Sequence, residues 1–320
     1  MMQRFWSVVA LALLSTIVTA QEFPNRAVRI VVPWPPSGNV DITARTIAPA
    51  LGEALGQQVI VENRAGAGGT IGSTAVVKSP ADGYTLLLGS SGTVTVAPAV
   101  FKTIAYDPLK DLTTVGAIQF VPLVLTAATR TPVATYAEFV AYSRTKPGQV
   151  SIASAGNGSS NHLAIELLMR QAKLQLVHVP YKGSGPAITD LLGSQVETMM
   201  DQLNASIGHI REGRMKALAV TSRSRSPSLP NVPTLDEVGV SGYEASTFTG
   251  LFGPAGIPPA AAEKLYGALR RALANDGVRE RFRSMGVDIA DMNQAEFAAY
   301  VRADFEKWRT VAREANIVVE

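Results

Sequence analysis

Residues 28–45, VRIVVPWPPSGNVDITAR, decide how the rest of the chain is read. Val28, Ile30, Val31 and Val32 form a short apolar, β-branched run with the composition of a buried strand. The segment Pro33-Trp34-Pro35-Pro36-Ser37-Gly38 ends it, because proline removes a ladder donor and fixes φ. Asn39 or Asp41 is placed to cap a following helix whose apolar face runs Ile42, Ile47, Ala48, Leu51, Leu55. Pro49 falls inside that pattern and predicts a kink or a break into two short helices. A strand that stops abruptly and feeds a helix start leaves backbone N–H groups pointing into the gap. With the helix dipole they make a site for an anion such as a carboxylate.

The same grammar recurs along the chain. Strand-like runs occupy 58–62, 84–88, 112–126, 150–153, 176–179, 196–200, 216–220 and 248–252, with helical tracts at 73–78, from Thr135, from Asn161, at 186–192 and through the tail. Strands alternating with helices argue for parallel α/β pairing. Gly66 to Gly72 is not a dinucleotide loop: Ile71 stands where the fingerprint needs its last glycine, and Gly89-Ser90 ends the next strand without a ribose-binding acid. A tight turn accounts for those glycines. The last helix is the best defined, with Phe297, Val301, Phe305, Trp308 and Ala312 at helical spacing and Asn293 and Glu296 set as a capping box. That stripe is expected to pack on the first lobe.

At 320 residues, 47% apolar and 17% charged, the chain is globular and long enough for two domains. A net charge of +3 with scattered basic residues leaves no nucleic-acid footprint. Residues 1–20 read as a cleavable signal peptide, with Arg4 as the positive region, an apolar stretch to Ile17 and Val18-Thr19-Ala20 as the cleavage site. The mature chain is expected to start at Gln21 and to reside in the periplasm. With no cysteine, its stability must come from the core.

Five strand-ending loops, 33–41, 89–93, 154–160, 180–184 and 201–204, are rich in glycine, serine and asparagine. In open α/β sheets ligands bind at that edge, and two such edges facing each other form a cleft. Catalytic signals are poor. The three histidines, His162, His178 and His209, lack metal-ligand spacing, and there is no cysteine nucleophile or G-x-S-x-G elbow. Spacing alone leaves open a triad of Ser90 or Ser159 with His162 and Asp41. Lys182 is the one cation in these loops, and no loop holds an arginine to fork an amino-acid carboxylate.

NRAGAGG, ADGYTLLLG, SAGNGSSNHLA, VPYKGSGPAITDLLGSQV and the R-x-R-S-P…P-N-V-P-T tract resemble the substrate-binding proteins of tripartite tricarboxylate transporters, the Bug (Bordetella uptake) family. The resemblance runs over essentially the whole mature chain. It implies a two-lobed periplasmic binding protein of the type II-like Venus flytrap class, each lobe a mixed sheet flanked by helices, closing on a small carboxylate. Residues 21–127 and 246–320 are expected to form the first lobe and 128–245 the second, with a hinge near 126–130 and 245–249.

By resemblance the first-lobe grip lies in Pro33 to Asp41, giving Trp34, Pro36, Ser37, Gly38, Asn39 and Asp41 as candidates. The facing loop offers Gly156, Asn157, Gly158, Ser159, Ser160 and His162, and the remaining edges offer Ser90, Ser91, Tyr181, Lys182, Gly183 and Asp201. Helix starts near Asp41 and Asn161, helped by hydroxyls of Ser37, Ser90, Ser159 and Ser160, are expected to meet the charge. Relatives often carry two glycines where Ser37-Gly38 stands and Phe where Trp34 stands, so these positions bear on ligand choice. No cofactor or metal is called for. The expected partners are the carboxylate and the membrane components of a transporter, with the receptor a monomer. The competing readings are an amino-acid receptor of an ATP-driven importer and a serine hydrolase using Ser159 and His162.

Overall fold

Val28, Ile30, Val31 and Val32 are all buried, because β1 (Val28–Val32) lies inside a sheet with parallel neighbours on both sides. A computed structural model describes residues 23–314 and 317–319; the expected signal peptide lies outside them. After β1 come α1 (Asn39–Leu55), β2 (Val59–Asn63), α2 (Thr70–Val77), β3 (Thr85–Ser90), a buried π-helical segment (Gly92–Val96), α3 (Ala97–Val100), α4 (Pro108–Asp111) and β4 (Leu112–Ala128). The middle of the chain gives α5 (Tyr136–Thr145), β5 (Ser151–Ser154), α6 (Ser160–Ala172), β6 (Val177–Pro180), α7 (Ser184–Leu192), β7 (Thr198–Gln202), α8 (Leu203–Arg211) and β8 (Met215–Val220). β9 (Ser246–Pro254), α9 (Pro259–Ala274), α10 (Asp276–Ser284), β10 (Asp288–Ile289) and α11 (Gln294–Glu314) complete it.

The fold is two-lobed and both sheets are mixed. The first runs β2-β1-β3-β9-β4, with β10 on β4; the second runs from β4 through β7 and β5 to β6, with β8 also on β4. β1 pairs in parallel with β2 and β3, and β5 in parallel with β6 and β7, while β9 and β4 run antiparallel to their neighbours. β4 belongs to both sheets. It pairs with β9 from Leu112 to Pro122, then with β7 from Leu123 to Ala127. The change of partner therefore comes at Pro122–Leu123, ahead of the expected 126–130, whose first residues lie well inside the second sheet. Proline lacks the N–H to continue a ladder, which suits it to such a junction.

Two helices depart from expectation. α1 is one continuous element of 17 residues despite Pro49. Pro49 is exposed, so water can satisfy the carbonyl that loses its partner. α11 has its capping box, with Asn293 N–H donating to Glu296 at 2.8 Å and Glu296 N–H to Asn293 at 2.9 Å. Yet it buries Asp304 rather than Phe305, which is only half-buried. The Thr95 hydroxyl donates to Asp304 at 2.6 Å, and burial raises that carboxyl's pKa. Nor does the stripe serve one lobe. Phe297 and Val301 pack with Val31, Leu87 and Phe248 of the first sheet, whereas Trp308 and Ala312 join the core around Leu123, Phe139 and Ile152.

Candidate ligand-binding site

Both sheets reverse their winding beside their central strands, β1 in one and β5 in the other, and in open sheets the crevice opens at the carboxyl ends there. The ends of β1 and β3 meet the ends of β5 and β7 across a single cavity. Three helices begin at it. α1 has Gly38 as its N-cap and α7 has Gly183, and neither has a side chain bonded to its first turn. Asn39 and Asp41, read from sequence as caps, therefore do not cap: the carboxylate of Asp41 instead accepts the Ser37 N–H at 3.0 Å. α6 is capped by Ser159, whose Oγ accepts the His162 N–H at 3.2 Å. The two uncapped starts face each other, since a Cβ placed on Gly38 would stand 3.9 Å from Ser184 Cβ. Their first N–H groups lack helical partners, and the dipoles add positive potential at the same point.

The cavity is lined by Trp34, Pro35, Gly38, Asn39, Val40, Ser90 and Gly92 from one side, and by Ala155, Ser159, Ser160, Asn161, Gly183, Ser184, Gln202 and Thr247 from the other elements. None of these carries a charge. The cavity is a narrow cleft of about 430 Å³ between the walls. The Trp34 indole N–H donates to Ser90 Oγ at 3.4 Å, which leaves its ring as an apolar wall. Asn39 Oδ1 accepts from Gln119 Nε2 at 2.7 Å and from Asn204 Nδ2 at 2.5 Å. That pairing fixes the carboxamide and leaves its NH2 for the cavity. Ser160 Oγ is buried without a hydrogen-bond partner. Asn161 and Gln202 bind each other, Gln202 Nε2 donating to Asn161 Oδ1 at 3.0 Å.

Of the residues singled out from sequence, Trp34, Gly38, Asn39, Ser90, Ser159, Ser160 and Gly183 meet at this cavity. The others do not line it. Pro36, Ser37 and Asp41 border an open groove on the outer side, shared with Arg45, Glu53 and Arg281. Ser37 adopts φ 70°, the left-handed region glycine favours. Burial works to raise the Asp41 pKa, but hydrogen bonds from Arg45, Ser37 and Asn63 outweigh it and hold the carboxyl below its usual range. Ser91 Oγ accepts the Phe248 N–H at 2.9 Å. Gly156, Asn157 and Gly158 shape the loop instead of lining the cavity. Asn157 is exposed, and a Cβ on Gly158 would collide with Phe101.

His162 stacks on His178 with ring centroids 4.3 Å apart; its Nδ1 accepts the Gly158 N–H at 3.3 Å and its Nε2 faces Glu166 at 3.6 Å. Ser159 Oγ donates to the Gly156 carbonyl at 2.6 Å and meets only the His162 backbone, so the Ser159–His162 pair does not form; the serine bonded to a histidine ring here is Ser154, whose Oγ lies 2.6 Å from His178 Nε2. Tyr181 donates its hydroxyl to Asp190 at 2.7 Å, and Lys182 is exposed. Asp201 is buried behind the wall. Among the described residues no cluster of three or more histidine or acidic side chains is arranged to hold a metal. Pro35, Val40, Gly92, Ala155, Asn161, Ser184, Gln202 and Thr247 also line the cavity; all but Asn161 and Thr247 fall within the five expected loops, though none was an individual candidate. Asn161 and Ser184 were within reach, each standing where a polar loop turns into a helix; Gln202 was not, because α8 lacks a start signal.

The family model described as the tripartite tricarboxylate transporter family receptor matches residues 43–317. The solved periplasmic binding protein BugD is 35% identical, with a TM-score of 0.90 over 93% of this chain and 100% of its own. Rpa4515 of R. palustris, solved with adipate, is 34% identical, with a TM-score of 0.90 over 93% of this chain and 99% of its own. MatC of Rhodopseudomonas palustris, solved with bound malate, is 36% identical, with a TM-score of 0.87 over 90% and 99%.

Proposed function

Because the chain belongs to the tripartite tricarboxylate transporter receptor family, whose solved members are binding proteins rather than enzymes, we propose that it captures a small organic carboxylate between its lobes. The observation that carries this reading is the meeting of the α1, α6 and α7 starts at a cavity with no charged side chain. Backbone N–H groups and dipoles at helix starts bind anions without a cation. Two structural relatives hold adipate and malate, which supports an aliphatic acid of similar size against the flat wall of Trp34. Lys182, exposed and off the cavity, has no part in the grip.

The receptor works as an exported monomer in the periplasm and hands its ligand to membrane components of a tripartite transporter. Its first lobe comprises 21–122 and 246–320 and its second 123–245, a division supported by the change of partner of β4 at Pro122–Leu123 in place of the expected boundary at 127. Walls as close as these admit a ligand only when the lobes part, which makes binding a hinge closure. A thermal-shift screen of di- and tricarboxylates, amino acids and neutral sugars tests the reading. A carboxylate at 100 times its Kd stabilises by about 2.7 kcal/mol, a readily visible shift. A response confined to sugars or peptides would refute it.

A further inference from the structure

Asp201, at the end of β7, is fully buried directly behind the cavity wall. Its carboxylate accepts hydrogen bonds from Ser184 Oγ at 2.6 Å, from Ser206 Oγ at 3.0 Å and from Asn161 Nδ2 at 3.3 Å. Ser184 and Asn161 themselves line the cavity. One side chain therefore separates this acid from the place where helix starts converge to receive an anion. Among the described residues no cation neutralises it. On the elements packed against β7, His162 faces Glu166 and stacks on His178, Asp190 binds Tyr181, and Arg170 reaches Glu314. Arg211 binds the Ser284 carbonyl and His209 lies in the field of Arg214 and Glu212. β4 and β5 contribute no charged residue.

Such an arrangement has two chemical consequences. While Asp201 is ionised, the Ser184 hydroxyl is committed to it and cannot donate to a ligand. An arriving carboxylate also brings a second negative charge to a poorly solvated region, and like charges at close range cannot both stay ionised cheaply. We propose that Asp201 is a positioning residue of the binding wall, and that the site takes up a proton onto Asp201 together with its carboxylate ligand. The protonated carboxyl then donates to a serine hydroxyl oxygen, that of Ser206 or Ser184, and the Ser184 O–H is released to turn toward the ligand. The charge balance is simple: one solvent proton enters with each ligand anion, and no bond other than O–H forms. Burial already pushes this carboxyl up to about 6, against the hydrogen bonds that oppose it. It therefore starts mostly ionised at pH 7 and close to the point of taking a proton.

This inference rests on the carboxylate-capture reading, and its test separates the two. Titration calorimetry of the mature protein with malate and with adipate, at pH 7 in phosphate and in Tris, counts protons from the difference in observed heat. The expected result is roughly one proton taken up per ligand, with affinity falling as pH rises from 6.5 to 8.5 by up to tenfold per unit. Asp201→Asn should bind without proton uptake and with a flat pH profile. Should that variant fail to fold, Ser184→Ala removes a donor from the ionised carboxylate and should move the wild-type pH midpoint upward. Carboxylate binding without proton uptake, or a pH profile unchanged in either variant, overturns the role of Asp201 and leaves capture standing. If no carboxylate binds, both readings fall.

Discussion

Replacing Gly183 with alanine separates closure of the lobes from stability of the fold. Gly183 is the N-cap of α7 with φ 116° and ψ 170°, a region that only glycine occupies readily. A side chain there costs roughly 1–3 kcal/mol of folding free energy, seen as a melting point lowered by a few degrees. The second effect acts between loops. The new Cβ would stand 2.8 Å and 2.9 Å from Cγ and Cδ of Pro35, against an ordinary carbon–carbon separation of about 3.5–4.0 Å. Overpacking of that kind costs about 1–3 kcal/mol, and it is felt only when the two walls meet. Binding should therefore weaken by roughly 5- to 150-fold, measured by calorimetry with whichever carboxylate gives the largest thermal shift. Pro35→Ala removes both clashing atoms, so the double variant should recover most of the affinity while keeping the lowered melting point. If Gly183→Ala binds as tightly as the parent, or if Pro35→Ala restores nothing, the two loops do not close on each other as argued.

Ser160→Ala removes a buried hydroxyl that has no hydrogen-bond partner among the described residues. Stability should hold or rise, while affinity falls by about 1.5–3 kcal/mol, the worth of a hydrogen bond to a charged group; Lys182→Met, at an exposed position, should change the Kd by less than about twofold. A larger loss from the lysine than from the serine would show an ion pair at work. His178 is held down to about 4, chiefly by burial and then by His162, with Glu166 opposing. Its folded value lies below the ordinary 6.5, so the stability tied to it is present above pH 6.5 and lost on acidification toward pH 4. The unfolding free energy from urea titration should drop between pH 7 and 5 by at most about 1.4 kcal/mol per pH unit, and His178→Phe should flatten that slope; an unchanged slope would contradict the assignment. Asn204→Ala breaks the 2.5 Å bond from α8 to Asn39 of α1 and should enlarge the radius of gyration of the ligand-free protein in small-angle scattering, with affinity reduced several-fold. An identical scattering profile would mean that this contact does not help hold the cleft shut.

Local chemistry was legible in the sequence wherever it was self-contained. The β-branched run of β1, the proline stop after it, the helix start at Thr135 and the capping pair Asn293–Glu296 are all present. Legibility failed where a residue's role depends on partners distant in the chain. β4 reads as one long apolar strand, and only its pairing with β9 and then β7, more than 70 residues away, divides it between two sheets. The strand-end loops were found, but not which of their side chains point inward. Ser37 turns outward through its left-handed φ, and Tyr181 is held by Asp190. The helix start at Asn161 and the loop ending at Ser184 are legible, but that these two side chains reach Asp201 depends on β7, which local sequence does not show. Asp304 was hidden within an apolar stripe, since nothing local shows that Thr95 waits to pair with it.

The absence of a charged side chain from the cavity wall does not make the electrostatics weak; it changes which charges matter. Arg45 could have supplied a cation near the first loop, yet it is drawn to Asp41 at 3.0 Å and lies on the outer side. Each thereby largely cancels the other's field at the cavity. What remains on the first lobe is the start of α1, uncapped because Asp41 is occupied with Ser37 and Arg45. On the second lobe, Asp201 opposes an anion, and uncharged donors, the side chains of Ser184, Ser206 and Asn161 and the backbone of Gln202, temper it. The two lobes are thus unequal partners: α1 attracts an anion outright, whereas the α7 wall accepts it best once Asp201 is neutral. A carboxylate should therefore dock first on the α1 loop of an open cleft. The second lobe then closes over it, and the proton arrives with closure rather than with encounter.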